Sequence, residues 1–161
     1  MPFALRRAPG TPAVISKVRG ESGQSAVEFA LVVPILCVIV LAMVDFGEAM
    51  NYWLDLNHVA SDTVRKAAVN TYPTAAEYQT WARDRLETTE LRTGGSNSIP
   101  TAATVSICLP EGSDVGDPVT VRLAVSYNWI PFIGGAAWGI KGTATMRLEQ
   151  KAAYSAVGTC T

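Results

Sequence analysis

The sequence predicts an α+β protein with one long N-terminal helix, a second short helix and a small three-stranded antiparallel sheet. Three observations carry this prediction. An apolar run from Phe29 to Val44 passes without a break into an amphipathic helical pattern that lasts to about Asn70. A second helical pattern, Tyr78, Trp81, Ala82 and Leu86, lies between Pro73 and Gly94-Gly95. After Pro100, three segments alternate apolar and polar residues with period two.

The first element is long enough to cross a bilayer once. Phe29 to Val44 is 16 uncharged residues, which rise by roughly 24 Å. Counting from Ser25 gives about 30 Å, the thickness of the hydrocarbon core. Arg6, Arg7, Lys17 and Arg19 precede the run and Asp45, Glu48 and Asp55 follow it. This asymmetry places the N-terminus in the cytoplasm and the C-terminal part outside. A removed signal peptide is the competing reading, but the run is long for one and ends in Asp45-Phe46-Gly47-Glu48 instead of a small-residue cleavage pattern. The expected division is a cytoplasmic leader over 1–23, a transmembrane helix over 24–46 and an exported α+β domain over 47–161.

Beyond the membrane, Phe46, Met50, Trp53, Asn57, Ala60, Val64 and Ala67 form a stripe widened by Leu56 and Val59. Glu48, Asn51, Asp55, Asp62 and Lys66 occupy the opposite face. The stripe has two candidate partners, the chain's own domain and the helices of other subunits. Tyr72-Pro73 closes the helix, and Thr74-Ala75-Ala76-Glu77 reads as a capping box for the second one. The strand patterns centre on Val105 and Ile107, on Val119 to Tyr127, and on Ala144, Met146 and Leu148. The intervening segment holds Trp129, Ile130, Phe132, Ile133 and Trp138. It either closes the base of the core or presents an apolar surface to a partner or to lipid headgroups.

Cys37 falls inside the apolar run. Cys108 and Cys160 both fall in the exported part, where an oxidising compartment would leave them as the available pair. Two free thiols, or zinc ligation with His58, are the alternatives; the second lacks a fourth ligand. The net charge of −1 gives no electrostatic footprint for nucleic acid. One histidine, no phosphate loop and no metal-ligand spacing argue against an enzyme and against a cofactor or bound metal. Glu111 to Asp117 carries three carboxylates without EF-hand spacing and reads as a solvated turn.

The chemically distinctive pair is Gly23 and Glu28. A carboxylate costs about 2.5–3.5 kcal/mol at the centre of a membrane helix, and less near an interface. One kept at the start of the apolar run suggests a task, although it is also compatible with a mere interface marker. The segments Gln24-Ser25-Ala26-Val27-Glu28-Phe29-Ala30-Leu31-Val32-Val33-Pro34, Val44-Asp45-Phe46-Gly47 and Ala60-Ser61-Asp62-Thr63-Val64-Arg65-Lys66-Ala67 together resemble the TadE-like pseudopilins of the tight-adherence, or Flp pilus, system. The third segment departs from the family's usual Arg-Glu-Gly-rich form, which leaves TadE, TadF and TadG relatives open.

The resemblance implies a pilin-like fold and a minor subunit of a pilus or related secretion machine. It implies cleavage between Gly23 and Gln24 by a prepilin peptidase. Its partners would be other pilin-like subunits, inner-membrane assembly proteins and membrane lipid. In that setting Glu28 would pair with the new N-terminal amine of a neighbouring subunit. Two other readings are an unprocessed single-pass envelope protein that binds a partner through its exported domain, and an envelope enzyme.

Overall fold

A computed structural model describes residues 21–129 and 136–160. The leader up to residue 20, and Ile130, Phe132 and Ile133 of the expected partner surface, lie outside the described residues. Packing divides the chain into two units, Met1–Ile39 and Val40–Thr161. Helix α1 (Glu21–Ala68) contributes to both. In the first unit its apolar side chains are exposed, Phe29 at 70 % and Ile35 at 65 %, and Pro34 sits inside the helix. Among the described residues α1 is the one helix long and apolar enough to cross a membrane, and its most apolar window is entirely unburied. The helix begins at Glu21, a turn earlier than the sequence pattern suggests.

In the second unit the remaining part of α1 packs with α2 (Ala75–Arg85), the short α3 (Thr89–Thr93) and a sheet of β1 (Thr104–Cys108), β2 (Pro118–Asn128) and β3 (Ala137–Arg147). The strands are antiparallel in the order β1-β2-β3, so β2 is central. Its odd-numbered residues Val119, Val121, Leu123, Val125 and Tyr127 point to the core and are at most 5 % exposed. This is the period-two rule at work, one apolar face per strand. Leu56, Val59, Ala60, Val64 and Ala67 of α1 supply the covering layer. Tyr78, Ala82 and Leu86 of α2 and Leu91 of α3 complete the core.

The buried face of α1 is rotated from the expected stripe. Phe46, Met50 and Trp53 are 41–56 % exposed, whereas Tyr52, Asp55 and Thr63 are buried. Hydropathy alone picks the large apolar residues. The sheet instead needs a face that admits a close approach, because a Cβ on Gly142 of β3 would lie 2.4 Å from the carbonyl carbon of Leu56. That crossing puts Leu56 and its helical neighbours inward.

The C-terminus of α1 would leave unpaired carbonyl groups, and tertiary partners satisfy them. The hydroxyl of Tyr78 donates to the carbonyl of Lys66 (3.3 Å), that of Tyr154 to Ala67 (2.9 Å), and the Glu149 N–H to Ala68 (2.9 Å). Asn70, at φ 52°, turns the chain there. At the α2 N-terminus, Thr74 Oγ1 donates to Glu77 Oε1 (3.0 Å), and no Thr74 side-chain bond to backbone forms. Two further boundaries differ from expectation. The second helical pattern splits at Leu86, leaving α3 as a single turn. Strand β3 begins at Ala137, so Trp138 and Ile140 belong to a strand and pair with Tyr127 and Val125.

The segment after Tyr154 folds back along the outer edge of β1. Ile107 and Val157 exchange both backbone hydrogen bonds (2.8 and 2.7 Å), and Cys108 is disulfide-bonded to Cys160. Gly158, at φ 79°, lies so close to Ser106 that a side chain there would strike its Oγ at 2.4 Å.

Candidate functional site

Two regions hold the side chains singled out by their chemistry. In the first unit, Gly23 lies in the first turn of α1, and apart from its own stretch of helix nothing comes within 4 Å of the place a Cβ would occupy. Gln24 Nε2 donates to Glu28 Oε1 at 3.2 Å, an exposed i,i+4 pair on one helix face. The carboxylate is therefore held on the same side as the residue that would become the N-terminus after cleavage. Cys37 is exposed in the apolar run.

In the second unit, the end of the sheet nearest Phe46 builds an aromatic cluster. Asp45 is 9 % exposed and turned inward. The hydroxyl of Tyr127 donates to its Oδ1 in a short hydrogen bond and also approaches its backbone carbonyl (3.2 Å). Tyr52, packed on Tyr127 with centroids 5.9 Å apart, donates to Glu90 Oε2 at 2.6 Å. Burial, aided by these carboxylate acceptors, pushes both phenols well above the ordinary tyrosine range. They therefore stay neutral donors at physiological pH. Sequence reasoning placed Tyr127 on the inner face but missed both pairings. The available signal was that a buried tyrosine needs a partner for its hydroxyl.

Beside this network is an apolar groove of about 410 Å³, lined by Phe46 and Met50 of α1 and by Tyr127, Trp129, Trp138 and Ile140. The Phe46 and Trp129 rings meet edge to face at 6.4 Å. The structure thus brings together Trp129 and Trp138 of the expected partner surface, and adds Phe46 and Met50 of the stripe expected to face the chain's own domain or the helices of other subunits.

Residues 23–65 match the family model of TadE-like proteins. This segment is TadE-like. The TadE-like segment opens at Gly23, carries Glu28, the apolar run and Asp45-Phe46-Gly47, and ends in the part of α1 that packs within the second unit. No curated protein and no solved structure matches the chain.

On the opposite side of α1, Asp55 is 8 % exposed and Oδ2 accepts the Glu87 N–H at 2.9 Å, which fixes the α2–α3 corner to the helix. Desolvation raises the Asp55 carboxyl above its ordinary pKa, partly offset by the hydrogen bond from the Glu87 backbone. Asp55 was expected on the solvent face, and its burial follows from the rotation of α1. His58 Nδ1 lies 3.5 Å from Asp62 Oδ2 on a side chain that is 75 % exposed. Among the described residues no group of His, Cys, Asp and Glu is placed to hold a metal.

Proposed function

We propose that this chain is a minor pilin-like subunit that takes part in assembly of a tight-adherence type pilus or related secretion machine. The observation that carries the reading is the TadE-like match over residues 23–65, which takes in the exposed apolar run of α1. A family associated with pilus systems as a structural component, and no catalytic constellation in the sequence, favour a structural role over an enzymatic one. In this reading the chain crosses the cytoplasmic membrane once, with its N-terminus inside, the span over residues 24–46 and the domain of residues 47–161 outside. Its partners are a prepilin peptidase, other pilin-like subunits and inner-membrane assembly proteins.

Processing takes place between Gly23 and Gln24. The scissile bond lies in the first turn of α1, so the peptidase must unwind that turn to extend the peptide. Glycine lowers the cost, since it is about 1 kcal/mol poorer than alanine in a helix, and Gly23 has no packing to lose. Cleavage leaves an amine on Gln24. Glu28 is then the carboxylate available to a neighbouring subunit's amine, once it is released from its exposed hydrogen bond with Gln24.

N-terminal sequencing of the membrane-bound protein from its native host tests this. A chain that starts at Gln24 is expected, and a mature pool that retains the leader would refute it. Glu28→Gln should leave cleavage and insertion intact and reduce recovery of co-purifying pilin-like subunits. Normal co-purification would remove the pairing role.

A further inference from the structure

The last turn of the apolar run, Val40 to Val44, belongs to the same packed unit as the aromatic groove and is exposed, Met43 at 67 % and Val44 at 58 %. Phe46, one wall of the groove, follows Val44 by two residues, about 3 Å of helical rise. Met50 follows by one more turn, about 9 Å beyond Val44. The polar interfacial layer on each side of a bilayer is roughly 5–7 Å deep. A helix that leaves the hydrocarbon at Val44 therefore carries the α1 wall of the groove through that layer.

The other wall is Trp129, Trp138 and Ile140, and Trp138 is 70 % exposed although it stands on a strand. The groove residues are uncharged, and the adjacent carboxylate of Asp45 is turned into the domain by Tyr127. We propose that this groove seats on the outer leaflet, with Trp138, Trp129 and Phe46 at the level of the lipid carbonyls and acyl carbons filling the space between them. The inference rests on the membrane-anchored reading above.

Lipid is favoured over a protein occupant by continuity. The exposed apolar surface of Val40–Val44 runs without interruption into Phe46 and the groove, so whatever solvates the former meets the latter. Indole rings suit that depth because their apolar body and N–H fit the two sides of the interface. Seating the groove would fix the unit against the membrane surface instead of leaving it free on its helix.

The test is fluorescence quenching of the full chain in phosphatidylcholine vesicles that contain lipid brominated close to the carbonyl. Trp138 is kept alone by changing Trp53, Trp81 and Trp129 to Phe, and Trp81 alone serves as the control. Loss of most Trp138 emission to brominated lipid, together with shielding from aqueous iodide, is expected, and Trp81 should respond little to the lipid. Quenching by iodide and not by lipid overturns the proposal. Shielding from both quenchers also overturns it, in favour of a second copy in the groove. In the otherwise intact chain, Trp138→Phe should remove a lipid-quenched part of the emission, and no change there would overturn the proposal without relying on the multiple variants. Failure to float with the vesicles would refute the anchor itself, whereas flotation without Trp138 quenching refutes only the seating.

Discussion

Gly142→Ala is expected to weaken the second unit by about 2 kcal/mol. The added Cβ would stand 2.4 Å from the Leu56 carbonyl carbon, 2.5 Å from its oxygen and 2.6 Å from the Asn57 nitrogen. Ordinary contacts begin near 3.4 Å, so strand and helix must part by about 1 Å (3.4 − 2.4). All three atoms are helix backbone and cannot swing aside. Insertions of one carbon into packed cores cost about 1–3 kcal/mol, and an immovable neighbour places this one at the upper end. The loss of glycine's freedom in the unfolded chain works the other way by about 0.4–1 kcal/mol, too little to change the sign. At about 4 °C per kcal/mol for a unit of this size, the melting temperature falls by roughly 8 °C. Near-ultraviolet circular dichroism of the full chain in detergent micelles measures it. Gly139→Ala is the control, since its Cβ would meet only the Lys141 Cε at 3.9 Å. If Gly142→Ala melts with or above Gly139→Ala, the account of this crossing is wrong.

Tyr127→Phe should cost about 1–3 kcal/mol by removing the phenol's hydrogen bond to the buried Asp45 carboxylate, read as a lowered denaturant midpoint. Asp55 gives a pH signature. Its carboxyl pKa is raised by burial, so its contribution to stability is fullest below the ordinary carboxylate pKa and is lost as pH rises through the raised value. Asp55→Asn, which keeps an oxygen acceptor for the Glu87 N–H, should flatten that decline and be at least as stable as the parent at neutral pH. Asp55→Ala should be less stable than either, and equal melting of the Asn and Ala forms would refute the role of the acceptor. Cys108→Ser should cost about 4 kcal/mol on the loop-entropy model for a separation of 52 residues. Thiol labelling of the unreduced parent should mark Cys37 alone.

Helices α1 and α2 and all three strands were legible because each repeats its apolar residues at its own period, and because Pro73 and Gly94 punctuate the chain between them. What failed was the choice of face. Phe46, Met50 and Trp53 outrank Tyr52, Asp55 and Thr63 in hydropathy, yet the latter are buried because contact with the sheet is set by Gly142 and by the partners Glu87 and Glu90 supply. None of those is local in sequence to α1. The single turn of α3 is too short to show a period. Strand β3 was read as starting late because Gly139 and Gly142 interrupt the alternation that reveals a strand. At the candidate site, Gly23 and Glu28 stand out in the sequence, since a lone carboxylate beside an apolar run is conspicuous. Trp129 and Trp138 also stand out, but not Phe46 as their neighbour, because residues 83 and 92 positions apart in sequence meet only through the fold.

The disulfide has a mechanical consequence. It ties β1 to the returning C-terminal segment, and both of its ends lie on the sheet side of the unit. No cross-link reaches α1. Pull applied along the helix enters the sheet through the Gly142–Leu56 crossing and the Tyr127–Asp45 hydrogen bond, and enters α3 through the Tyr52–Glu90 hydrogen bond. Covalent reinforcement thus guards the sheet's outer margin, while the seam between helix and sheet bears tension by packing and hydrogen bonds alone and is where the unit would yield first under load.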